Sequence, residues 1–361
     1  RALESNSTGI SNVAVGLMSL NGNTTGEENT AIGTGSGEKT TIGKYNTFLG
    51  RSAGFRNTTS SKNTIIGFQA MSEYLFDNTD TEFDAENVVI GYQAAFNMNP
   101  TASANGIRNV IIGSEAGKGT GVNPRGYNNV LVGWQSGQNN TTGNHNAFVG
   151  GRSGQMITTG SQNVSLGYLS LGTNVNGNYN SAIGYNAGST NVSGSSNTFI
   201  GRFANPSLNN QTFSIAIGAS TTVNANDKIR LGDAGMTVIE GQVDYTFPSD
   251  GRFKNNVKDL ETGLDFILKL RPVSYQFDRL KFAEFIGQDV SDIDMQERLI
   301  KNSIPIQYGF IAQEVEIASN EVHEDFDFVK KPTNEKDNYS IAYGSMVVPV
   351  IKAIQEQQNI I

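Results

Sequence analysis

Along the first two thirds of the chain, apolar residues recur at one fixed phase inside a repeated unit. The unit reads Asn-x-x-(Ile/Val/Leu)-Gly-x-x-(Ala/Ser), from Asn12–Gly16 to Asn197–Gly201, and a twelfth copy ending at Gly218 has Ser214 in the asparagine position. Its glycines stand at 16, 33, 50, 67, 91, 113, 133, 150, 167, 184, 201 and 218, a step of 17 broken only by consecutive steps of 24, 22 and 20. A fixed step of this length is the mark of a solenoid or roll, one coil per unit.

Each position of the unit has a physical reading. The residue before the glycine is always Ile, Val or Leu, and the one before that is often apolar too (Phe48, Ile65, Val89, Phe148, Phe199). Neighbouring strand residues point to opposite faces, so the pattern predicts short strands buried on both sides. The glycine suits a corner that needs positive φ. Three residues later comes Ala or Ser in eleven of twelve units, a small side chain for a tight inner wall, and the asparagines would align in ladders whose amides bond from coil to coil. A coil of 17 residues encloses little volume, so a roll apolar on two faces needs a partner for the second. Three chains around one axis is the economical answer.

From Thr222 the pattern changes. Lys228–Gly232 and Thr237–Gly241 alternate as short strands of a neck. Leu264, Ile267, Leu268 and Leu270 predict a helix stopped by Pro272, Val273–Phe277 a strand, and Tyr308–Val315 a strand entering a helix. Val347, Val350, Ile354, Gln357 and Ile361 follow alternating spacings of 3 and 4, a coiled-coil seam; an amphipathic helix packed on its own domain is the other reading. The organisation expected is a β-roll head and shaft over 1–222, a β neck over 223–248 and an α+β domain with a C-terminal helix over 249–361. The fold class is therefore mainly β: a trimeric parallel β-roll or β-solenoid, then an α+β domain ending in a coiled-coil helix.

Composition sharpens this division. Residues 1–222 carry 11 Lys and Arg against 11 Asp and Glu, and hold 33 of the 41 glycines; residues 223–361 carry 15 basic against 23 acidic residues. Neither half is basic, which disfavours a nucleic-acid partner. The absence of cysteine and the presence of only two histidines exclude disulfides, thiol nucleophiles and the common zinc clusters. No cofactor is expected. No apolar run approaches the roughly 20 residues of a membrane helix, so no membrane insertion is expected of this stretch. The opening at Arg1, without Met or an apolar leader, points to a processed or excised fragment. Disorder, the other reading of so much Gly, Asn, Ser and Thr, has no need of an aliphatic residue at one phase over twelve repeats. Asn29-Thr30-Ala31 lacks the third residue of a glycosylation acceptor, as do most repeat asparagines.

The long unit contains Glu73-Tyr74-Leu75-Phe76-Asp77, then Asp80, Glu82, Phe83, Asp84 and Glu86, aromatics and carboxylates absent from neighbouring coils. Insertions in solenoids emerge as loops, so Tyr74, Phe76, Asp77, Asp80, Glu82 and Phe83 are the candidate receptor contacts; decoration or a clamp between chains is the alternative. The spacing of Asp77, Asp80 and Glu82 matches no calcium loop. Trp134 and His145 read as packing and surface residues.

Asn29-Thr30-Ala31-Ile32-Gly33 and Asn180-Ser181-Ala182-Ile183-Gly184 resemble the repeats of trimeric autotransporter adhesin heads, over about residues 10–222. That resemblance implies left-handed parallel β-rolls in an intertwined trimer that binds host matrix or cell surfaces; the step of 17 here is longer than the family's and implies an extra turn or bulge per coil. Ser249-Asp250-x-Arg252-x-Lys254, Gly309–Glu314 and the helix over 343–358 resemble the C-terminal intramolecular chaperone of endosialidase-type phage tail spikes, over about 249–361. This second resemblance implies trimer assembly of the preceding fibre and self-cleavage before the motif serine. Ser249 would be the nucleophile and Lys254 the base, supported by Asp250, Arg252, Gln313 and Glu314, with scission at Pro248–Ser249. A lysine serves as base only if burial or a nearby cation holds it neutral. The bland reading is a helix N-cap by Ser or Asp with Arg252 and Lys254 solvated.

The expectation is thus an extracellular homotrimeric fibre or adhesin, on a cell surface, phage or injection device, meeting a surface glycan or protein receptor. Any enzyme activity would be single-turnover autoproteolysis. A glycan-degrading site in the acidic insert and a purely structural spacer are the alternatives.

Overall fold

The computed structural model describes residues 1–73, 81–98, 106–119 and 126–360. They form two compact units, Arg1–Asp233 and Ala234–Ile361. In the first, a parallel β-solenoid, each repeat closes one coil. The coil's strand is three residues long, from Val13–Val15 in the first repeat to Ile215–Ile217 in the twelfth. Successive strands pair in parallel and in register, as Ala147 with Val164 and Val149 with Leu166. Ile229–Leu231 joins the same sheet as a thirteenth strand.

Three-residue strands have room for one inward side chain. The central residue takes it: Phe48, Ile65, Val89, Phe148, Phe199 and their equivalents are buried. The aliphatic residue before each glycine points outward and forms the second apolar face; Val15, Ile32, Leu49, Val149, Leu166, Ile183, Ile200 and Ile217 are 38–57% exposed in the single chain. At the inner corner, Ser and Ala three residues past the glycine are buried. Their hydroxyls also fasten coil to coil, with Ser19 Oγ donating to the Ala31 carbonyl at 2.9 Å and Ser136 Oγ to that of Phe148 at 3.1 Å.

The asparagine ladder is continuous from Asn12 to Ser214. Each side-chain Oδ1 accepts from the backbone N–H at the same position of the next coil, as Asn163 N to Asn146 Oδ1 at 3.0 Å, while in the 17-residue coils Nδ2 donates to a carbonyl 14 residues on, as Asn146 to Gly160 at 2.9 Å, and in the longer coils of Asn87 and Asn109 to one 19 and 17 residues on. These bonds satisfy backbone groups at the bend that no strand reaches. The bend needs them, for the residue before the asparagine is left-handed in all twelve coils without being glycine, from Ser11 (φ 57°) through Tyr45 (59°) and Lys62 (63°) to Phe213 (52°).

The motif glycine meets two demands at once. Gly133 has φ +133°, and a Cβ there would lie 2.5 Å from the Gly150 carbonyl oxygen; Gly50, at +128°, would meet that of Gly67 at 2.7 Å. The column of glycines is thus a line of backbone-to-backbone contact.

The second unit has ordinary globular packing. Helix Leu264–Lys269, strand Val273–Gln276, helices Arg279–Phe285 and Ile293–Ser303, strand Ile306–Gly309 and helix Ala312–Glu321 lead to the C-terminal helix Val347–Ile360. The two strands pair antiparallel, Val273 with Gly309. One core gathers Phe266, Val315, Ala318, Phe328, Val329 and Met346; another gathers Ala234, Ala283 and Leu299. Helix 264–269 and the C-terminal helix approach closely: a Cβ on Gly263 would collide with Ala353 N. Pro349 and Ala353 are buried, while Val347, Val350, Ile354 and Gln357 of the heptad pattern are exposed; Ile361 lies outside the described residues. Thr237–Gly241 is not the strand expected: the solenoid has ended, and among the described residues no backbone hydrogen bond holds it. Val243, Tyr245 and Phe247 farther on are at least 80% exposed.

Candidate functional site

Ser249 and Lys254 flank a single turn of 3-10 helix, Gly251–Phe253, which brings residues five apart into contact. Lys254 Nζ donates to Ser249 Oγ at 2.8 Å. Asp250 caps the turn, its Oδ1 accepting from Arg252 N at 2.9 Å. The Arg252 guanidinium then grips the same carboxylate with Nη2–Oδ2 at 2.6 Å, and this pairing holds the Asp250 carboxyl below its usual range. Cap and dyad therefore coexist: the N-cap reading holds for Asp250, while the serine and lysine meet on the outside of the turn.

Both dyad residues are exposed in the single chain. General-base attack needs an amine that accepts from Oγ–H, and a lysine does so only where burial or a neighbouring cation holds it neutral. The pair is assembled but lacks the burial that chemistry requires. Gln313 and Glu314 lie elsewhere, at the start of helix 312–321. Glu314 is gripped by Arg271, Nη2–Oε1 2.5 Å, and Gln313 lines a cavity with Tyr275, Phe310, Ile311 and Tyr343. Among the described residues, no hydrogen bond links either to the dyad.

Of the insert, Tyr74, Phe76, Asp77 and Asp80 lie outside the described residues. Glu82 accepts from Ser61 Oγ at 2.7 Å, and Phe83 packs against the solenoid core, in a two-residue strand beside Ser60–Ser61. Asp84 pairs with Lys62 at 2.5 Å and Glu86 with Arg108 at 2.9 Å. These acidic residues thus sit opposite cations of neighbouring coils, an arrangement that ties coils together. Among the described residues, no group of three His, Asp or Glu is placed to hold a metal, and no helix is long and apolar enough to cross a membrane.

Sequence reasoning passed over one feature of the roll, the residue just after each motif glycine. That column carries Arg51, Phe68, Tyr92, Trp134, Tyr168 and Tyr185 on the surface. Phe68 stacks on Tyr92, and Tyr168 on Tyr185, each with centroids 5.7 Å apart. The signal was present as an aromatic at a fixed offset, but it appears in only some coils. His145 is a surface residue as expected, its Nε2 3.2 Å from Asn128 Nδ2.

Residues 249–323 match the family described as the chaperone of endosialidase. The match begins at Ser249 and spans the dyad, the two-stranded sheet and helix 312–321. No curated protein sequence matches the chain.

Proposed function

We propose that the protein is a homotrimeric extracellular fibre of the tail-fibre type: an adhesive β-roll whose C-terminal region assembles three chains in register and then cuts itself free between Pro248 and Ser249. The observation that carries this is the outward aliphatic stripe, one residue per coil from Val15 to Ile217, exposed in a single chain in eight of the twelve coils and half-buried at Ile66, Ile90, Ile112 and Val132. A patch of that length on a lone chain marks an interface. The exposed seam of Val347, Val350 and Ile354 and the match to a chaperone family support the same reading. A slip of one coil would leave every repeat paired with a wrong but similar neighbour, so register has to be fixed from outside the repeat. Three chain ends held together raise the effective concentration of the correct alignment.

Within this reading, once a neighbouring chain covers the pair, Ser249 Oγ attacks the Pro248 carbonyl as Lys254 takes its proton; the Pro248–Ser249 C–N bond breaks as the Ser249 nitrogen receives that proton, and water hydrolyses the resulting ester to leave a Pro248 carboxylate and a free Ser249 hydroxyl. The head meets a cell-surface glycan or protein. Sedimentation of the Ser249→Ala chain, which cannot be cut, tests the assembly: the expected species is three chains of 38.8 kDa, and adding Leu166→Glu with Ile183→Glu should yield single chains. Intact mass tests the cut. A fragment ending at Pro248 should form in the wild type and in neither Ser249→Ala nor Lys254→Ala; a folded trimer whose chains stay whole would overturn self-cleavage.

A further inference from the structure

Ala234-Gly235-Met236, the first residues of the second unit, belong to no strand or helix, yet their backbone is held by side chains of the helix pair 279–285 and 293–303 and of the connection between them. Gln288 Oε1 accepts from Ala234 N at 3.0 Å. Arg279 Nη1 donates to the Ala234 carbonyl at 2.9 Å and to the Met236 carbonyl at 3.0 Å, and Asn302 Nδ2 donates to the Gly235 carbonyl at 2.9 Å. Arg279 is itself locked in place, its Nε donating to the Asn302 carbonyl at 2.9 Å and its backbone N–H to Ser303 Oγ at 2.9 Å. The Ala234 methyl packs in the small core with Ala283 and Leu299, and Gln288 is buried beside it. At Gly235 a Cβ would come within 2.8–3.0 Å of the Arg298 guanidinium, so a side chain there would have to displace it.

Beyond Met236 this hold stops. Among the described residues, 237–248 make no hydrogen bond, and Val243, Tyr245 and Phe247 stand out into solvent. Where that stretch ends, the Asp250 cap and its 3-10 turn begin. The bond Pro248–Ser249 therefore closes a loop anchored ahead of it by the helix pair, and breaking that bond severs none of the contacts to Ala234–Met236. Fixed side-chain donors and an acceptor that grip three successive peptide units, with a small apolar recess for one methyl, make a peptide-binding site. Its occupant is a segment that a cut at Pro248 leaves on the roll's side of the chain.

We infer that the helix pair is a latch: after a cut at Pro248–Ser249 it keeps the C-terminal unit on the roll's chain through Ala234–Met236, so that release is a separate step from cleavage. The inference rests on reading 249–361 as a detachable assembly unit, and it names what holds that unit once the covalent link is gone. Each latch is a small set of hydrogen bonds, so it holds well where three act together on one trimer and poorly where one acts alone.

The test uses a cut that does not depend on the dyad. Chymotrypsin opens exposed, unbonded stretches in preference to paired strands and helices, so the Ser249→Ala chain is nicked at Tyr245 or Phe247 and the site is confirmed by mass. The nicked particle is then run on a size-exclusion column over a dilution series. Expected is that both fragments elute together at the mass of the uncut particle. Arg279→Ala takes two carbonyl bonds from the unit's side, and Gly235→Val wedges the segment's side while leaving the helix pair's own sequence unaltered. Each should raise the concentration at which the fragments part by at least about tenfold, with the ellipticity of the uncut chain at 222 nm unchanged. Val238→Ala, in the unbonded stretch, should leave that concentration where it was. Parent fragments that separate at every concentration would overturn the latch, as would fragments of Arg279→Ala and Gly235→Val that stay together as the parent's do. Because the protease makes the nick, a wild-type chain that never cuts itself removes self-cleavage while the latch is still read, and sedimentation before the nick reads the trimer by itself.

Discussion

The roll and the C-terminal unit satisfy buried backbone by opposite means. In the roll, side chains act as backbone: one asparagine per coil replaces a missing strand bond, and one glycine lets two carbonyl-bearing corners touch. In the C-terminal unit, helices and a two-stranded sheet bond internally and apolar side chains fill the space between them. The first solution repeats without end and carries no information about where a chain should start. The second is unique at every position, which is what an alignment device needs. Each leaves an apolar surface uncovered, the stripe on the roll and the Val347, Val350 and Ile354 seam on the helix.

Glycine substitutions should separate the two most sharply. Gly133→Ala places a Cβ 2.5 Å from the Gly150 oxygen at φ +133°, and should cost at least about 3 kcal/mol, from backbone strain plus displacement of a coil that cannot relax independently. Gly344→Ala, with nothing within 4 Å of the added atom, should stay within about 0.5 kcal/mol. Urea melts followed by Trp134 emission for the roll and by ellipticity at 222 nm for the helices measure each. Equal losses would show that the glycine column is not a backbone contact.

Next in size is the ladder. Asn146→Ala removes the acceptor of Asn163 N and Nδ2 and the donor to Gly160 O. Leaving these buried groups unmatched should cost about 2–4 kcal/mol. The end rung Asn12, half-buried with solvent to replace its partners, should cost about 1 kcal/mol when changed to alanine. A flat profile along the ladder would mean that the asparagines act singly.

The solenoid was legible because its constraints fall on residue identity: only glycine fits the corner, only a small side chain fits the inner wall, and asparagine alone offers donor and acceptor at the required reach. The left-handed bend before each asparagine was not legible, since Glu28, Tyr45, Arg108 and His145 share that backbone with no common chemistry. The strain there is carried by the ladder, not by the strained residue. The outward face of the pre-glycine aliphatics was legible only as a second apolar face in need of a partner: hydrophobicity says that a side chain should be covered, not which of the two faces the chain covers itself. At the C-terminal motif, the pairing of Ser249 with Lys254 was anticipated through the family resemblance alone, whereas the residues themselves read as the cap that Asp250 supplies. Gln313 and Glu314 share a motif with the dyad by resemblance alone, and Arg271 takes Glu314 instead.

The smallest expected difference is in acid. Glu356 is held below the usual glutamate range, first by the Leu264 N–H, at 2.6 Å from its Oε2, then by the Gly263 N–H and Lys352. Glu316 is lowered too, chiefly by Lys331 and then Tyr339. A carboxyl depressed in the folded state stabilises it above the unfolded-state value, about 4.3 for glutamate, and that contribution is lost as pH falls through the lower folded value. In the roll, Glu115 is similarly lowered by Lys118 and Gln135, but the ladder itself is built of amides, which do not titrate. Ellipticity at 222 nm should therefore fall at higher pH than the Trp134 signal as acid is added. Glu356→Gln keeps an acceptor for the two N–H groups without the proton equilibrium, so it should narrow that gap while leaving the roll's transition where it was. Coincident acid transitions in the wild type would mean that the Glu356 tie between the helices is not what the C-terminal unit loses first.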